Sequence, residues 1–209
     1  LLMTVALAQD LGWLRAPLGA AGLRIAGIVS LLASGVLAFG EARLERVFGH
    51  ALLFDIGAAL LALADRTSLD QQLIVAMIGV RILGVIAWSN GLSTLRASRE
   101  SDALGLQGVG LRLPLATTAF LVGPLAIAGY PLLAGFPLRW ALLVERGFSD
   151  PAAAAALIVG LGGIGFATFR SLTALITPVQ GAATLRFEDR GRPAIVAILA
   201  LLAILLTAS

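Results

Sequence analysis

Residues 114–139 read PLATTAFLVGPLAIAGYPLLAGFPLR, and this stretch decides how the rest of the chain is interpreted. It is predominantly apolar, yet a proline or a glycine recurs every few residues. It belongs to a longer apolar segment, residues 113–147. As one straight helix that segment would measure about 52 Å, against a hydrocarbon core of about 30 Å. The segment therefore predicts either one broken span or two separate short spans.

The composition of the whole chain places it in a membrane. Of its 209 residues, 59% are hydrophobic and 13% are charged, and the mean hydropathy is +0.97. Soluble domains contain roughly a quarter charged residues. A bilayer can face apolar side chains directly, which water cannot do at this density. We predict an all-α, polytopic transmembrane helix bundle of about six spans, one of them discontinuous.

Apolar segments long enough to cross a bilayer alternate with charged or Gly/Pro-rich connectors. They are residues 22–39, 47–64, 72–94, 113–147 (broken), 151–177 and 192–208. No linker separates a second domain, so residues 1–209 are predicted to form a single transmembrane domain. Residues 1–9 are apolar without a preceding basic segment, which predicts the end of a truncated helix rather than a signal peptide.

Several classes of chemistry are excluded by residue type. The chain has no cysteine, which rules out disulfides and thiolate metal sites. It contains no Walker A motif, zinc-ligand spacing or nucleophile elbow. We therefore expect no catalytic residue, no metal and no cofactor of its own, and the thinly spread charge of +3 predicts no nucleic-acid partner.

Four residues mark the predicted break: Gly129, Pro131, Gly135 and Pro137. Interrupted backbone at membrane depth is tolerated only where protein or a watery cavity shelters the freed polar groups. In transporters such breaks commonly mark an ion or substrate pathway. The alternative is a proline kink that serves packing alone.

The arginines discriminate between one broken span and two, because short cytoplasmic loops carry an excess of positive residues. One broken span puts eight arginines on one side and four on the other, whereas two spans give six against six. In the first arrangement the sides hold Arg43, Arg46, Arg96, Arg99, Arg112, Arg186, Arg190 and Arg192 against Arg15, Arg24, Arg66 and Arg146. The broken span gives the expected bias, with the arginine-rich side in the cytoplasm of a bacterial inner membrane.

Ionisable side chains within spans are functional candidates because burying them costs free energy. Asp55 and Arg81 fall near the middle of the second and third spans, Arg139 follows the break, and His50 lies one turn into the second span. Asp55 and Arg81 share a depth on antiparallel helices, which predicts an ion pair. That pair either holds the helices together, or Asp55 and His50 take part in a hydrated relay.

The fifth candidate span contains two further features. Residues 160–165 read GLGGIG, a small-residue run that predicts close approach of another helix. It lacks the strand and the soluble context of a dinucleotide-binding loop. Arg170, nearer the cytoplasmic end, is predicted to be a structural charge whose side chain extends to the interface.

Three segments together resemble a known membrane family. The main one comprises residues 110–114, 117–123 and 125–136; residues 26–46 precede it and residues 166–170 follow it in the order typical of the family. The pattern resembles the antiporter-like membrane subunits of respiratory complex I and of multisubunit cation/proton antiporters. The resemblance covers residues 20–175, the later half of a typical subunit.

The resemblance implies a role in moving protons or monovalent cations, coupled to electron transfer. It implies other hydrophobic subunits and the lipid bilayer as partners, and a non-catalytic place in an NADH:quinone oxidoreductase-type complex. One alternative is a degenerate subunit kept as a structural scaffold. Another is an independent small transporter, against which the missing first half of the fold argues.

The departures from the family pattern concern its membrane lysines. These align with Glu45, Arg81 and Arg139, and a family histidine aligns with Met77. All 15 basic residues of this chain are arginine, which keeps its charge where lysine can release a proton. The resemblance therefore implies an ion path through Glu45, His50, Asp55, Arg81 and Arg139. In it the arginines set the potential felt by the titratable groups, so the relay is altered or lost.

Overall fold

Seven α-helices make up most of the computed structural model, which describes residues 17–41, 43–65, 68–97, 108–177 and 192–206. They are α1 Pro17–Gly40, α2 Leu44–Asp65, α3 Ser68–Ala97, α4 Pro114–Ala128, α5 Phe136–Ser149, α6 Pro151–Ile176 and α7 Arg192–Leu206. A short 3₁₀ turn, Val109–Leu111, precedes α4. The predictions for residues 1–9, and for the arginines at 15, 66, 99, 186 and 190, lie outside the described residues.

The chain is a helical membrane bundle, as its composition predicts. Among the described residues, four helices are long and apolar enough to cross a membrane: Pro17–Gly40, Glu45–Ala64, Leu73–Ala97 and Pro151–Ile176. Pro114–Ala128 and Ile195–Ile204 are shorter apolar helices. The main apolar core contains buried residues of all six helices from α1 to α6, and the most extensive helix contacts are those of α1 with α2, α3 with α4 and α1 with α6.

The predicted discontinuous helix is present, because α4 ends at Ala128 and α5 begins only at Phe136. Gly129 ends α4 with a φ of 88°, a left-handed conformation that glycine adopts at little cost. Its backbone N–H donates to the Leu125 carbonyl at 3.0 Å. Pro137 lies in the first turn of α5, where a missing N–H leaves no bond unmade.

α4 runs antiparallel to α3, and glycines of α3 let the two backbones approach closely. A Cβ on Gly91 would lie 2.5 Å from the Ala116 carbonyl oxygen, near the start of α4. A Cβ on Gly84 would lie 2.6 Å from the Ile127 side chain, near its end. α4 therefore runs from the membrane face where α3 ends towards the bilayer interior.

α5 continues in the same direction along α2. Arg139, in its first turn, contacts Asp55, and Arg146, in its last, donates to the Leu61 carbonyl at 2.8 Å. α4 and α5 together therefore cross the membrane once, which is the broken-span arrangement and not the two-span alternative.

We name the membrane face where α2 begins and α3 ends the first face, and the opposite one the second face. Among the described residues, the first face carries Arg43, Arg46, Arg96 and Arg112, and the second carries Arg24 and Arg146. This division agrees with the arginine bias of the broken-span interpretation. The cytoplasmic location of the first face stays a prediction.

The small-residue run of α6 lies against α1, as predicted. A Cβ on Gly35 of α1 would lie 2.6 Å from the Val159 carbonyl oxygen, and a Cβ on Gly163 would meet the Gly35 backbone. The two helices therefore touch backbone to backbone, which no larger residue at Gly35 or Gly163 would allow.

Candidate functional site: an intramembrane aspartate between two arginines

Asp55 is a carboxylate in the interior of the bundle, with 1% of the residue exposed. It accepts hydrogen bonds from Arg81 of α3 and from Arg139 of α5. The predicted ion pair between Asp55 and Arg81 is confirmed. We name these three residues the Asp55 cluster.

Arg139 reaches Asp55 because the helix break places it there. Its Nη2 also donates to the carbonyl of Ile127 at 3.0 Å. Ile127 lies in the last turn of α4, where carbonyl groups lose their helical partners. Arg139 therefore satisfies a backbone group that the break sets free, and its guanidinium also lies 5.5 Å from the centre of the Phe54 ring.

The Asp55 cluster holds two positive groups and one negative group. Arginine does not deprotonate in proteins, so Arg81 and Arg139 act as fixed charges. A buried charge without a partner is costly, which makes Asp55 necessary to both arginines. The Arg81 side chain is less confined than that of Arg139, because 19% of it is exposed against 7% for Arg139.

The surroundings of the cluster are apolar. A cavity of about 140 Å³ lies beside the break and is lined by apolar side chains of α2, α5 and α6 together with Arg139. Two nitrogens of Arg139, Nε and Nη1, are buried and have no hydrogen-bond partner among the described residues. The described part of the chain thus surrounds two polar donors with largely apolar walls.

Glu45 does not join the cluster. It lies in the first turn of α2 at the first face and pairs with Arg96 of α3, with Arg96 Nε donating to its carboxylate at 3.1 Å. Ten residues of helix separate it from Asp55, a rise of about 15 Å. The structure therefore brings together three of the five predicted path residues. Glu45 lies about 15 Å from them along α2, at the first face.

His50 also belongs to the first face. Its Nε2 lies 3.6 Å from a carboxylate oxygen of Glu41, in the connection between α1 and α2. The backbone N–H of Arg43 lowers the pKa of Glu41, an effect that desolvation opposes and that His50 and Arg46 reinforce. Glu41, not Asp55, is therefore the carboxylate next to His50.

A charge pair at the second face was missed by the sequence reasoning. Asp150 caps the start of α6 by accepting from the Ala153 backbone N–H, and it pairs with Arg24 of α1. Its hydrogen bonds to Arg24 lower the pKa of its carboxyl, although burial opposes the shift. The signal in the sequence was an aspartate directly before a proline, which is typical of a helix start.

Two more side chains have structural contacts. Arg170 donates to the carbonyl of Phe39 at 3.1 Å, and so binds a carbonyl in the last turn of α1. Tyr130, within the break, donates its hydroxyl to the Leu161 carbonyl of α6 at 2.7 Å. These contacts stabilise the helix ends and the break, and neither side chain contacts the Asp55 cluster in the hydrogen bonds described.

Comparison with known proteins identifies relatives of this sequence. No protein-family profile matches it. NADH-quinone oxidoreductase subunit N of Ectopseudomonas mendocina is 33% identical over 54% of this chain and 24% of its own length. The subunit N sequences of Psychrobacter arcticus and Acinetobacter baumannii are 30% and 25% identical, over 54% and 68% of this chain and 24% and 30% of their own lengths.

This chain thus spans about a quarter to a third of the relatives it matches. These relatives come from bacteria, and the described residues include four helices long enough to span a membrane, so both findings support the predicted multi-pass location in a bacterial inner membrane. The comparisons confirm the resemblance found in the sequence: over half or more of its length this chain is similar to NADH-quinone oxidoreductase subunit N, an antiporter-like membrane subunit of complex I.

Proposed function

We propose that this chain forms part of an antiporter-like subunit in a complex I-related membrane assembly, and that it contributes there to proton or cation translocation coupled to electron transfer. The observation that carries this proposal is the Asp55 cluster, which joins α2, α3 and the break of the discontinuous helix. The partners belong to the same proposal: other hydrophobic subunits of the assembly, with protons or monovalent cations as the transported species.

The two arginines give this site a different mechanism from a chain of titrating lysines. Neither can pass on a proton by releasing its own, so each sets a fixed positive potential. Asp55 is the titratable member of the cluster, and adding a proton to it would leave two buried guanidiniums without a counter-charge. Proton transfer at Asp55 therefore requires one arginine to move away or to find another partner.

Arg81 is the arginine suited to that movement. Arg139 is held by both Asp55 and the Ile127 carbonyl, whereas the hydrogen bond described for Arg81 is to Asp55 alone. Arg81 is also the more exposed of the two. In this mechanism a change of charge in a neighbouring subunit draws Arg81 from Asp55, and Glu45 and His50 supply protons from the first face.

A second candidate function is that of a scaffold, in which the cluster holds helices together and moves no ions. The apolar walls around Arg139 and the double pairing of Asp55 favour it, because an ion network that holds three helical segments together needs no transport role.

The test is proton pumping in the assembled complex, reconstituted in vesicles. D55N and R81A each lower the number of protons moved per electron if the cluster contributes to translocation. D150N is the matched control, since it neutralises an aspartate that pairs with an arginine at the second face. Normal pumping per assembled complex in both D55N and R81A, with less complex assembled, would instead identify a scaffold.

A further inference from the structure

Three contacts link α2 to α3 at successive depths. At the first face Glu45 pairs with Arg96, and in the bundle interior Asp55 pairs with Arg81. Between these two ion pairs, a contact between aromatic rings joins the helices. The two helices thus present polar, aromatic and polar contacts in succession from the first face inwards.

This aromatic contact is a stack of Phe48 of α2 on Trp88 of α3, whose ring centres are 4.2 Å apart with planes at 11°. Phe120 of α4 extends the stack, 6.4 Å from Trp88. Phe48 and Trp88 each lie two helical turns from the charged residue below them on the same helix, a rise of about 10 Å. The ring stack is therefore a separate layer above the Asp55 cluster.

This layer is closely packed on the side of α4. A Cβ on Gly91 would lie 2.5 Å from the Phe120 backbone nitrogen, so the absence of a side chain there brings Phe120 against α3. Phe120 is 2% exposed and Phe48 4% exposed. Buried leucines of α3, including Leu92 and Leu95, continue the apolar layer towards α4. Such a constriction excludes water unless its side chains move.

One polar atom interrupts the layer. The indole Nε1 of Trp88 is buried and has no hydrogen-bond partner among the described residues. An indole N–H is a donor that normally binds a carbonyl or a water molecule when buried. Trp88 is also the least buried ring of the three, which makes it the ring able to move.

We propose that Phe48, Trp88 and Phe120 form an aromatic barrier between the first face and Asp55, and that displacement of the Trp88 ring admits water to the cluster. The inference rests on the proposed function in that it names the step that regulates access to the same site. With the ring in place, protons at Glu45 are kept from Asp55. With the ring displaced, water hydrogen-bonded to the indole N–H connects Glu45 at the first face with the Asp55 cluster.

Water access can be measured with one introduced thiol, because the chain has no cysteine. Ala51 is 0% exposed and lies one turn from both Phe48 and Asp55 on the same face of α2. A51C in the assembled complex is treated in membranes with a sulfonated methanethiosulfonate, and the label is located by peptide mass. We expect slow labelling with Trp88 present and labelling at least about tenfold faster in W88A, since thiol reactivity follows access to water.

The controls separate a barrier from general loosening. W88F keeps a ring and is expected to label as slowly as the parent. F166A removes a ring from another stack, between Phe39 and Phe166, and is also expected to leave A51C protected. F48A opens the barrier from the opposite helix and serves as the second variant if W88A does not accumulate.

Fast labelling with Trp88 present, or slow labelling in both W88A and F48A, would overturn the barrier. Labelling does not depend on pumping. A barrier that behaves as expected, together with normal pumping in D55N and R81A, would therefore overturn only the translocation proposal.

Discussion

At the scale of single residues, Asp55 is the residue that the two intramembrane arginines depend on most. D55N leaves both guanidiniums without a counter-charge inside the bundle. Removing one partner of a buried ion pair costs about 3–5 kcal/mol, so we expect a clear fall in the unfolding temperature of the detergent-solubilised protein. E45Q is the control, because the pair of Glu45 with Arg96 is exposed and such pairs contribute below about 1 kcal/mol. Equal stability of D55N and E45Q would show that the arginines do not depend on the Asp55 charge.

Asp150 gives a prediction for the dependence of stability on pH. Its pKa is lowered from the ordinary value of 3.8 by the hydrogen bonds from Arg24. The pair therefore contributes its full stability above that value, and the contribution is lost as the pH falls through the lowered pKa. D150N retains a capping side chain for α6 but not the charge. The stability difference between parent and D150N should shrink below pH 3.8, as followed by thermal unfolding. A difference that stays constant at all pH values would exclude the ion pair as its cause.

Residue types alone indicated part of the site. The sequence predicted that Asp55 and Arg81 would pair, because their positions on antiparallel helices fix a common depth. It did not predict that Arg139 shares the same carboxylate. That contact depends on the conformation of the break, which sets where α5 begins relative to α2. The second-face pair of Arg24 and Asp150 was missed because 126 residues separate its members.

At the scale of helices, the contact between α1 and α6 depends on glycine at two positions. G163A places a methyl group against the Gly35 backbone, and such overpacking costs about 1–3 kcal/mol. G162A is the matched control one residue away, where a Cβ would have nothing within 4 Å. Alanine there is expected to be neutral or stabilising by up to about 1 kcal/mol, since it favours helix more than glycine does. Chemical denaturation in mixed micelles measures both, and equal effects would show that the close approach is not needed.

The helices themselves were predictable to within a few residues at most ends. The segment 151–177 is observed as Pro151–Ile176, and 22–39 as the longer Pro17–Gly40. Hydrophobic length predicts these because a membrane helix satisfies its own backbone groups. The exact position of the break was harder to predict, because four prolines in residues 113–147 offered several possible helix ends. Pro124 lies inside α4, and the helix ends at Gly129. α4 ends at the left-handed Gly129, and the Arg139 side chain donates to the Ile127 carbonyl in its last turn.

At the scale of the whole molecule, a single crossing by α4 and α5 determines which residues share a membrane face. It places Phe148, at the end of α5, on the same face as Gly22, near the start of α1. Cysteines at these two positions are expected to react with an impermeant thiol reagent from one side of sealed vesicles only. A cysteine at Arg43, in the connection between α1 and α2, should react from the opposite side. Labelling of positions 148 and 43 from the same side would contradict the broken-span topology.

We propose above that the Asp55 cluster moves ions and does not merely hold helices together. Replacing all three members with apolar side chains, in D55L/R81L/R139M, separates the two roles, because a buried ion network exchanged for apolar residues of similar volume often keeps its stability. The decisive measurement is the number of protons moved per electron by the reconstituted complex carrying this triple variant, normalised to assembled complex. If the cluster moves ions, the triple variant assembles normally and moves fewer protons per electron. Normal assembly with an unchanged proton count would contradict that proposal.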